Sequence, residues 1–133
     1  MNTTTLTPDE EAKWQVVEQY YDAWRKKNFS NVKFAANFCY KGPGKQQFNN
    51  AKDFLASASG LLSRITDIVV RKRFIQGDTI AVFYDFVTDI PSVGVIDTAG
   101  LYTVKNGELA SIDNYFDPTT LHAFRAQMAN ASK

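Results

Sequence analysis

The chain has 133 residues, of which 44% are hydrophobic and 14% aromatic, enough to build the core of one domain. Fifteen basic and fourteen acidic residues leave a formal net charge of +1, so the charge gives no indication of a nucleic-acid or membrane-surface partner. A single cysteine excludes a disulfide within the chain, and the sequence has no metal-ligand cluster. We therefore expect one domain, residues 1–133 with an ordered core of about 7–126, that uses no metal ion or cofactor.

The N-terminal segment carries the signal for a first helix. It has no apolar run of the length of a signal peptide or membrane span, so we expect a cytoplasmic protein. Thr7, Pro8 and Glu10 form a capping box, which predicts that a helix begins at Pro8. The apolar residues that follow recur at spacings of three and four, as in an amphipathic helix: Trp14, Val17, Tyr21 and Trp24.

Two more helices are predicted before the first strand. Ser30 can cap a short helix within residues 28–38, and a Gly-Pro-Gly sequence then predicts an exposed loop over residues 41–49. Asn50 can cap a third helix that runs through Arg64. The inward residues of the short helix are expected to be Val32, Ala35, Ala36 and Phe38.

The second half of the chain changes to an alternating, strand-like pattern. Residues 66–76 and 79–90 form a predicted hairpin that turns at Gly77-Asp78. Residues 95–117 form a second hairpin at Asn106-Gly107, since both central positions of a type I′ turn need positive φ. Helices followed by a four-strand antiparallel meander define an α+β class.

Alternation along the second hairpin assigns side chains to faces of the sheet. On the second of its strands, Asn114 is the polar exception. Asp117 then caps a predicted final helix, with Pro118 at its first position. The residues predicted to share the inward faces are Ile96, Thr98, Gly100 and Tyr102 on the first strand and Ala110, Ile112, Asn114 and Phe116 on the second.

The order of the elements, the Gly77-Asp78 and Asn106-Gly107 turns and the ending Ile112 to Asp117 resemble the nuclear-transport-factor-two-like superfamily. The nearest members are SnoaL-like polyketide cyclases, ketosteroid isomerase and limonene epoxide hydrolase. The resemblance covers roughly residues 8–124. It implies a curved antiparallel sheet that forms a cone-shaped barrel, covered by the N-terminal helices and enclosing a pocket. It also implies a homodimer formed through the outer sheet face.

The resemblance transfers few of the residues that carry chemistry in these enzymes. Ketosteroid isomerase uses a tyrosine and two aspartates. Tyr20 matches the tyrosine, but Gly42 and Gly100 stand where the aspartates are needed. At the positions that limonene epoxide hydrolase uses, this chain has Asp85, Val87, Asn114, Tyr40 and Gly42, of which only Tyr40 is retained. Neither reaction is expected.

A candidate site nevertheless remains within the predicted cone. We expect Asp85, Asn114 and Tyr40 to be the catalytic residues, because a carboxylate buried among aromatic rings has a raised pKa and can transfer a proton. The amide of Asn114 can orient a carbonyl or a water. The residues expected to contact the substrate are Tyr20, Trp24, Phe54, Thr98, Ile112 and Phe116.

Simpler structural interpretations stand beside these assignments. Asp85 can instead lie on the outer sheet face and pair with Arg71 or Arg73, which alternation puts on a common face. The aromatic residues of the first helix can be core packing, and His122 an exposed residue.

The sequence therefore leaves three functions open. The first is a cofactor-independent isomerase, cyclase or hydrolase that acts on a small apolar or cyclic molecule. The second is a non-catalytic ligand-binding module. The third is a dimerisation domain whose outer face carries Val69, Phe74, Phe83 and Tyr102.

Overall fold

A computed structural model describes residues 5–131. Helices precede most of the sheet along the chain, and the predicted α+β class is confirmed. The elements in chain order are α1 (Pro8–Lys26), β1 (Phe34–Lys41), β2 (Gln47–Phe48), α2 (Ala51–Leu62), β3 (Ile65–Gln76), β4 (Thr79–Thr88), β5 (Val95–Lys105), β6 (Glu108–Tyr115) and α3 (Thr119–Ala131).

The strands form one six-stranded sheet in the order β2-β1-β6-β5-β4-β3. β3 to β6 are antiparallel neighbours, as the predicted meander requires, whereas β1 runs parallel to β6. The predicted fold class, a curved sheet covered by helices, is confirmed, with two differences in detail. Over the described residues the sheet is mixed rather than fully antiparallel, and it is open between β2 and β3. At the β2 edge of this open sheet, α2 packs against β1 and β2.

The prediction of a helix over residues 28–38 is wrong. α1 ends at Lys26, its C-cap Lys27 takes the left-handed conformation (φ 59°), and the chain then enters β1 at Phe34. Phe38 and Tyr40 alternate into the core from this strand, while β6 provides its hydrogen-bonding partner about 70 residues later in the chain. The pairing with β6 stabilises an extended conformation that local helical spacing does not reveal.

The predicted starts of α1 and α2 are confirmed by the cap geometry. The Thr7 hydroxyl accepts a hydrogen bond from the Glu10 amide, and the Glu10 carboxylate accepts one from the Thr7 amide. Asn50 accepts from the Asp53 amide at 2.7 Å. At α3 the Asp117 carboxylate accepts from the Thr119 amide at 3.0 Å, so that helix begins close to its predicted position. These caps satisfy amides that have no partner within the helix.

Both predicted hairpins are present. Asn106 and Gly107 have φ values of 53° and 75°, the two positive values that a type I′ turn requires, and Gly77 has a φ of 60°. A register shift between Thr103 and Val104 accompanies the second turn. Because of that shift, Leu109 rather than Ala110 occupies the fully buried position at the start of β6.

A second irregularity lies in β3, where the pairing with β4 shifts between Val70 and Lys72. Arg71 is the extra residue, and its guanidinium lies on the outer face of the sheet, 3.0 Å from the Asp85 carboxylate. Arg73 lies over the ring of Trp14 on the helical side, 4.6 Å from the ring centroid. The prediction that the two arginines share a face is therefore wrong, because a bulge interrupts the alternation.

The core lies between the inner face of the sheet and helices α1 and α2, and it is built largely from aromatic rings. The Tyr20 ring contacts five other rings at centroid distances between 5.8 and 6.5 Å. The fully buried side chains include Val17, Tyr21, Phe38, Ile65, Ile80, Val82, Tyr102, Val104, Leu109 and Ile112.

None of the described helices combines the length and the apolar composition that a membrane span requires.

Candidate functional site

A cavity lies between α1, α2 and the inner face of the sheet, and α3 borders it. Its volume is about 70 Å³, below the ~300–1,000 Å³ typical of pockets for drug-sized ligands. It therefore suits a small ligand, or one end of a larger molecule that extends outward. The lining residues are Tyr20, Trp24, Tyr40, Gln46, Phe48, Phe54, Ser57, Ala58, Leu61, Tyr84, Phe86, Ile96, Thr98, Asn114, Phe116, Leu121 and Arg125.

Regular periodicity positions most of the cavity wall. Tyr20 and Trp24 are four residues apart on α1, and Phe54 and Ala58 are four apart on α2, so each pair lies on one helix face. The two adjacent strands β4 and β5 contribute alternate residues. Tyr84 lies opposite Thr98, and Phe86 opposite Ile96. This wall is aromatic and aliphatic, with few hydrogen-bonding groups.

The polar end of the cavity is formed by Tyr40 of β1 and Asn114 of β6. The Asn114 side-chain amide donates to the Tyr40 hydroxyl at 3.3 Å. Asn114 Oδ1 is buried, and among the described residues it has no hydrogen-bond partner. A ligand that donates a hydrogen bond would satisfy this oxygen, since a buried acceptor without a partner costs about 1–3 kcal/mol.

Tyr40 is placed as a hydrogen-bond donor. Burial raises the pKa of its hydroxyl above the ordinary value, although the Asn114 hydrogen bond and the nearby Arg125 guanidinium act in the opposite direction. The hydroxyl is therefore protonated at neutral pH. Since its oxygen already accepts from Asn114, its proton is available to a ligand.

Behind the cavity wall lies a buried group of tyrosines. The Tyr21 hydroxyl donates to the Tyr102 hydroxyl at 2.9 Å, and burial raises the pKa of both residues and of Tyr84. The Tyr102 ring lies back over Gly100, where a Cβ atom would come within 2.6 Å of the Tyr102 hydroxyl. The space that a carboxylate side chain at position 100 would need is thus filled by Tyr102.

Most of the predicted site residues lie together at the cavity. Ile112, predicted to contact the substrate, is fully buried in the core and is not part of the lining. The predicted residues that do line the cavity are Asn114, Tyr40, Tyr20, Trp24, Phe54, Thr98 and Phe116.

Asp85 is not at the cavity, and the prediction that it projects inward is wrong. Its neighbours Tyr84 and Phe86 line the cavity, so alternation turns Asp85 to the outer face. There its carboxylate pairs with Arg71, which the bulge in β3 brings within 3.0 Å. Asp85 therefore forms an ion pair on the outer face of the sheet, which is the alternative that the sequence left open.

Sequence reasoning missed several lining residues. Arg125 is the most informative, because it is the only charged residue among the described lining. The capping signal at Asp117 predicted the helix that carries it, but nothing in the pattern showed where that helix packs. Tyr84 and Phe86 could have been found, because Ile80, Val82, Tyr84 and Phe86 form one continuous apolar set on β4.

Comparison with solved structures places the geometry within a known fold. The chain is similar to an NTF2-like protein from Cytophaga hutchinsonii (TM-score 0.70, 23% identity, 91% of this chain and 99% of that one). It is also similar to a candidate SnoaL-like polyketide cyclase from Jannaschia (TM-score 0.71, 15% identity, 90% and 95%). A third is an epoxide hydrolase from Mycobacterium tuberculosis that resembles limonene epoxide hydrolase (TM-score 0.73, 14% identity, 94% and 98%).

No protein-family model and no curated relative matches the sequence. The class is defined by the fold, which this chain shares with these three structures over 95–99% of their length. The chain has the NTF2-like fold, and the resemblance predicted from the sequence is confirmed at that level. Because one fold serves many activities, function has to be argued from the cavity itself.

Proposed function

We propose that this domain binds a small, mostly apolar molecule in the cavity. The observation that carries the proposal is the buried Asn114 Oδ1, which has no hydrogen-bond partner among the described residues and lies in a cavity lined mostly by aromatic and aliphatic side chains. Apolar walls with a few convergent polar groups are typical of ligand sites. The expected ligand has an apolar ring that packs against Trp24 and Phe86, and a hydrogen-bond donor that binds the Asn114 oxygen.

The lining favours binding over proton-transfer catalysis. The described lining residues include no aspartate, glutamate, histidine or cysteine that would act as a general base. They offer hydroxyl, amide and guanidinium groups, which hold a ligand or stabilise an oxyanion. An isomerase, cyclase or hydrolase activity, as in some proteins of this fold, would have to work by such stabilisation.

Ligand titrations followed by NMR test the proposal. We expect 1-phenylethanol, which has one ring and one hydroxyl, to bind with a Kd on the order of 1 mM. Ala58→Leu should weaken binding, because Ala58 is buried and lines the cavity. The same change at the exposed Ala56, on the same helix, should not.

Further controls separate the cavity from the outer face. Asp85→Asn should leave the Kd unchanged, since Asp85 lies on the other side of the sheet. The proposal fails if cyclohexanol, benzyl alcohol, indole and 1-phenylethanol all fail to bind, or if Ala58→Leu and Ala56→Leu have equal effects. A chemical denaturation curve for each variant verifies that it is folded.

We also propose that the outer sheet face forms a homodimer. Phe74 and Phe83 are about half exposed there and their rings are in contact, with centroids 6.4 Å apart. Tyr102, which the sequence analysis assigned to this patch, is fully buried on the inner face instead. A two-fold contact brings the same patch of both subunits together, so the patch has to be complementary to itself. An apolar centre with charges of both signs beside it meets this condition. The residues of the outer-face patch are Val69, Phe74, Phe83, Leu101 and Tyr115, with Arg71, Lys72, Asp85 and Asp97 beside them.

Sedimentation equilibrium tests the dimer. Phe83→Glu is expected to shift the protein from dimer to monomer, because it places a carboxylate at the centre of the patch without burying it in the monomer, where Phe83 is 49% exposed. Ala56→Glu introduces the same charge on α2 and should leave the dimer intact. A wild-type monomer at working concentration would contradict the proposal.

A further inference from the structure

Arg125, on α3, provides a positive charge at the cavity. Arg125 lines the same cavity as Tyr40. Burial raises the pKa of the Tyr40 hydroxyl, and the positive charge of Arg125 partly opposes that rise. The side chain is half-buried. No ion pair or hydrogen bond joins Arg125 to any residue in the described part of the chain, although six ion pairs are formed elsewhere there.

A half-buried guanidinium that has no acidic partner among the described residues is an arrangement that a ligand can complete. Removing a charge from water costs free energy, which an anion in contact with that charge offsets. Arginine also binds carboxylates through two parallel hydrogen bonds. The other described lining residues carry no charge, so an anionic ligand would meet no repelling carboxylate within the cavity.

The neighbouring polar groups add a second requirement. Tyr40 is near Arg125 and is hydrogen-bonded to Asn114, so the three side chains form one polar end of the cavity. The Tyr40 hydroxyl donates, while the unpartnered Asn114 Oδ1 accepts. A carboxylate alone satisfies the two donors but repels the acceptor. A hydroxyl group close to the carboxylate supplies the missing donor.

We infer that the cavity selects small hydroxy acids: a carboxylate pairs with Arg125 and Tyr40, a nearby hydroxyl donates to Asn114, and an apolar ring lies towards Trp24 and Phe86. This inference rests on the proposed function, since it names the class of ligand for the same cavity. The cavity volume of about 70 Å³ is smaller than that of a cavity that encloses benzene, about 150 Å³, so part of the ligand extends outward.

Three related compounds test the inference by calorimetry or NMR titration. Mandelate carries both groups, phenylacetate lacks the hydroxyl, and 1-phenylethanol has a methyl group in place of the carboxylate. Mandelate is expected to bind about tenfold or more tightly than 1-phenylethanol, as a charge-assisted pair provides. It should also bind several-fold more tightly than phenylacetate, because its hydroxyl satisfies the Asn114 oxygen.

Variants assign each preference to its residue. Arg125→Gln should remove the preference for mandelate over 1-phenylethanol, because it removes the guanidinium that pairs with the carboxylate. Asn114→Leu should remove the preference for mandelate over phenylacetate. The matched control is Arg71→Gln, because Arg71 pairs with Asp85 on the outer face of the sheet and should not affect any of the three affinities.

The outcomes distinguish the inference from the proposed function. If 1-phenylethanol and mandelate bind equally in the cavity, or if Arg125→Gln weakens both to the same extent, the hydroxy-acid inference is overturned while ligand binding stands. If none of the three compounds binds, the hydroxy-acid inference is overturned, and the proposed function fails with it when cyclohexanol, benzyl alcohol and indole do not bind either. A preference for mandelate that is lost only in Arg125→Gln and Asn114→Leu supports both.

Discussion

Raising the pH from about 7 to about 11 is expected to lower the free energy of unfolding by about 5–6 kcal/mol, through four buried tyrosines. An unfolded tyrosine has a pKa of about 10, whereas burial raises the pKa values of these four well above that value. Between the two pKa values the unfolded chain releases phenolic protons that the folded chain keeps. The unfolded state then binds fewer protons, so stability falls as pH rises. The four residues are Tyr20, Tyr21, Tyr84 and Tyr102.

Each such tyrosine contributes about 1.4 kcal/mol per pH unit above its unfolded pKa. The combined loss is comparable with the whole stability of a typical domain, about 5–15 kcal/mol, so we expect cooperative unfolding between about pH 11 and pH 12. Circular dichroism reports the unfolding, and the ultraviolet absorbance of tyrosinate reports ionisation. The two transitions should coincide for the buried tyrosines.

Two substitutions separate this mechanism from general alkaline denaturation. Tyr20→Phe should reduce the slope of stability against pH by about 1.4 kcal/mol per unit, because it removes one buried phenol. Tyr115→Phe, at a residue that is 58% exposed, should leave the slope unchanged. Equal slopes in the wild type and Tyr20→Phe would refute the proposed role of burial.

The parts of the fold that could be predicted from the sequence are those that local chemistry determines. The capping box at Thr7 and the positive φ at Asn106 and Gly107 are set by neighbouring residues. The inward set on β5, from Ile96 to Tyr102, follows from uninterrupted alternation. These features do not depend on which distant segment packs against them.

The errors arose where distant contacts or irregularities decide the outcome. β1 is a strand because β6 pairs with it, and no residue near Phe34 indicates which distant segment will pair there. The faces of Arg71 and Arg73 are separated by one extra residue in β3, which a strict period of two does not anticipate. Arg125 entered the site through the packing of α3, which depends on the tertiary structure. The candidate site was therefore predictable in its aromatic wall but not in its charge.

Phe54→Ala is expected to lower the free energy of unfolding by about 3–5 kcal/mol, because it removes a buried ring from the core. Phe54 is 4% exposed and is stacked on Tyr40 with ring centroids 4.8 Å apart. Its ring also contacts Tyr20 and Phe38 at 6.4 and 5.6 Å. Urea denaturation measures the loss, and Lys52→Ala, at an exposed position on the same helix, should change stability by only about 0.5 kcal/mol.

The same substitution connects the core to the proposed function, because Phe54 is also a wall of the cavity. Removing the ring enlarges that space, so saturating 1-phenylethanol should stabilise Phe54→Ala by more than it stabilises the wild type. A ligand that binds elsewhere would stabilise both proteins equally. A loss below about 1 kcal/mol would show that the ring is not packed as described, and equal ligand-induced shifts would place the bound molecule outside this cavity. The two measurements therefore test the packing of Phe54 and the location of the ligand independently.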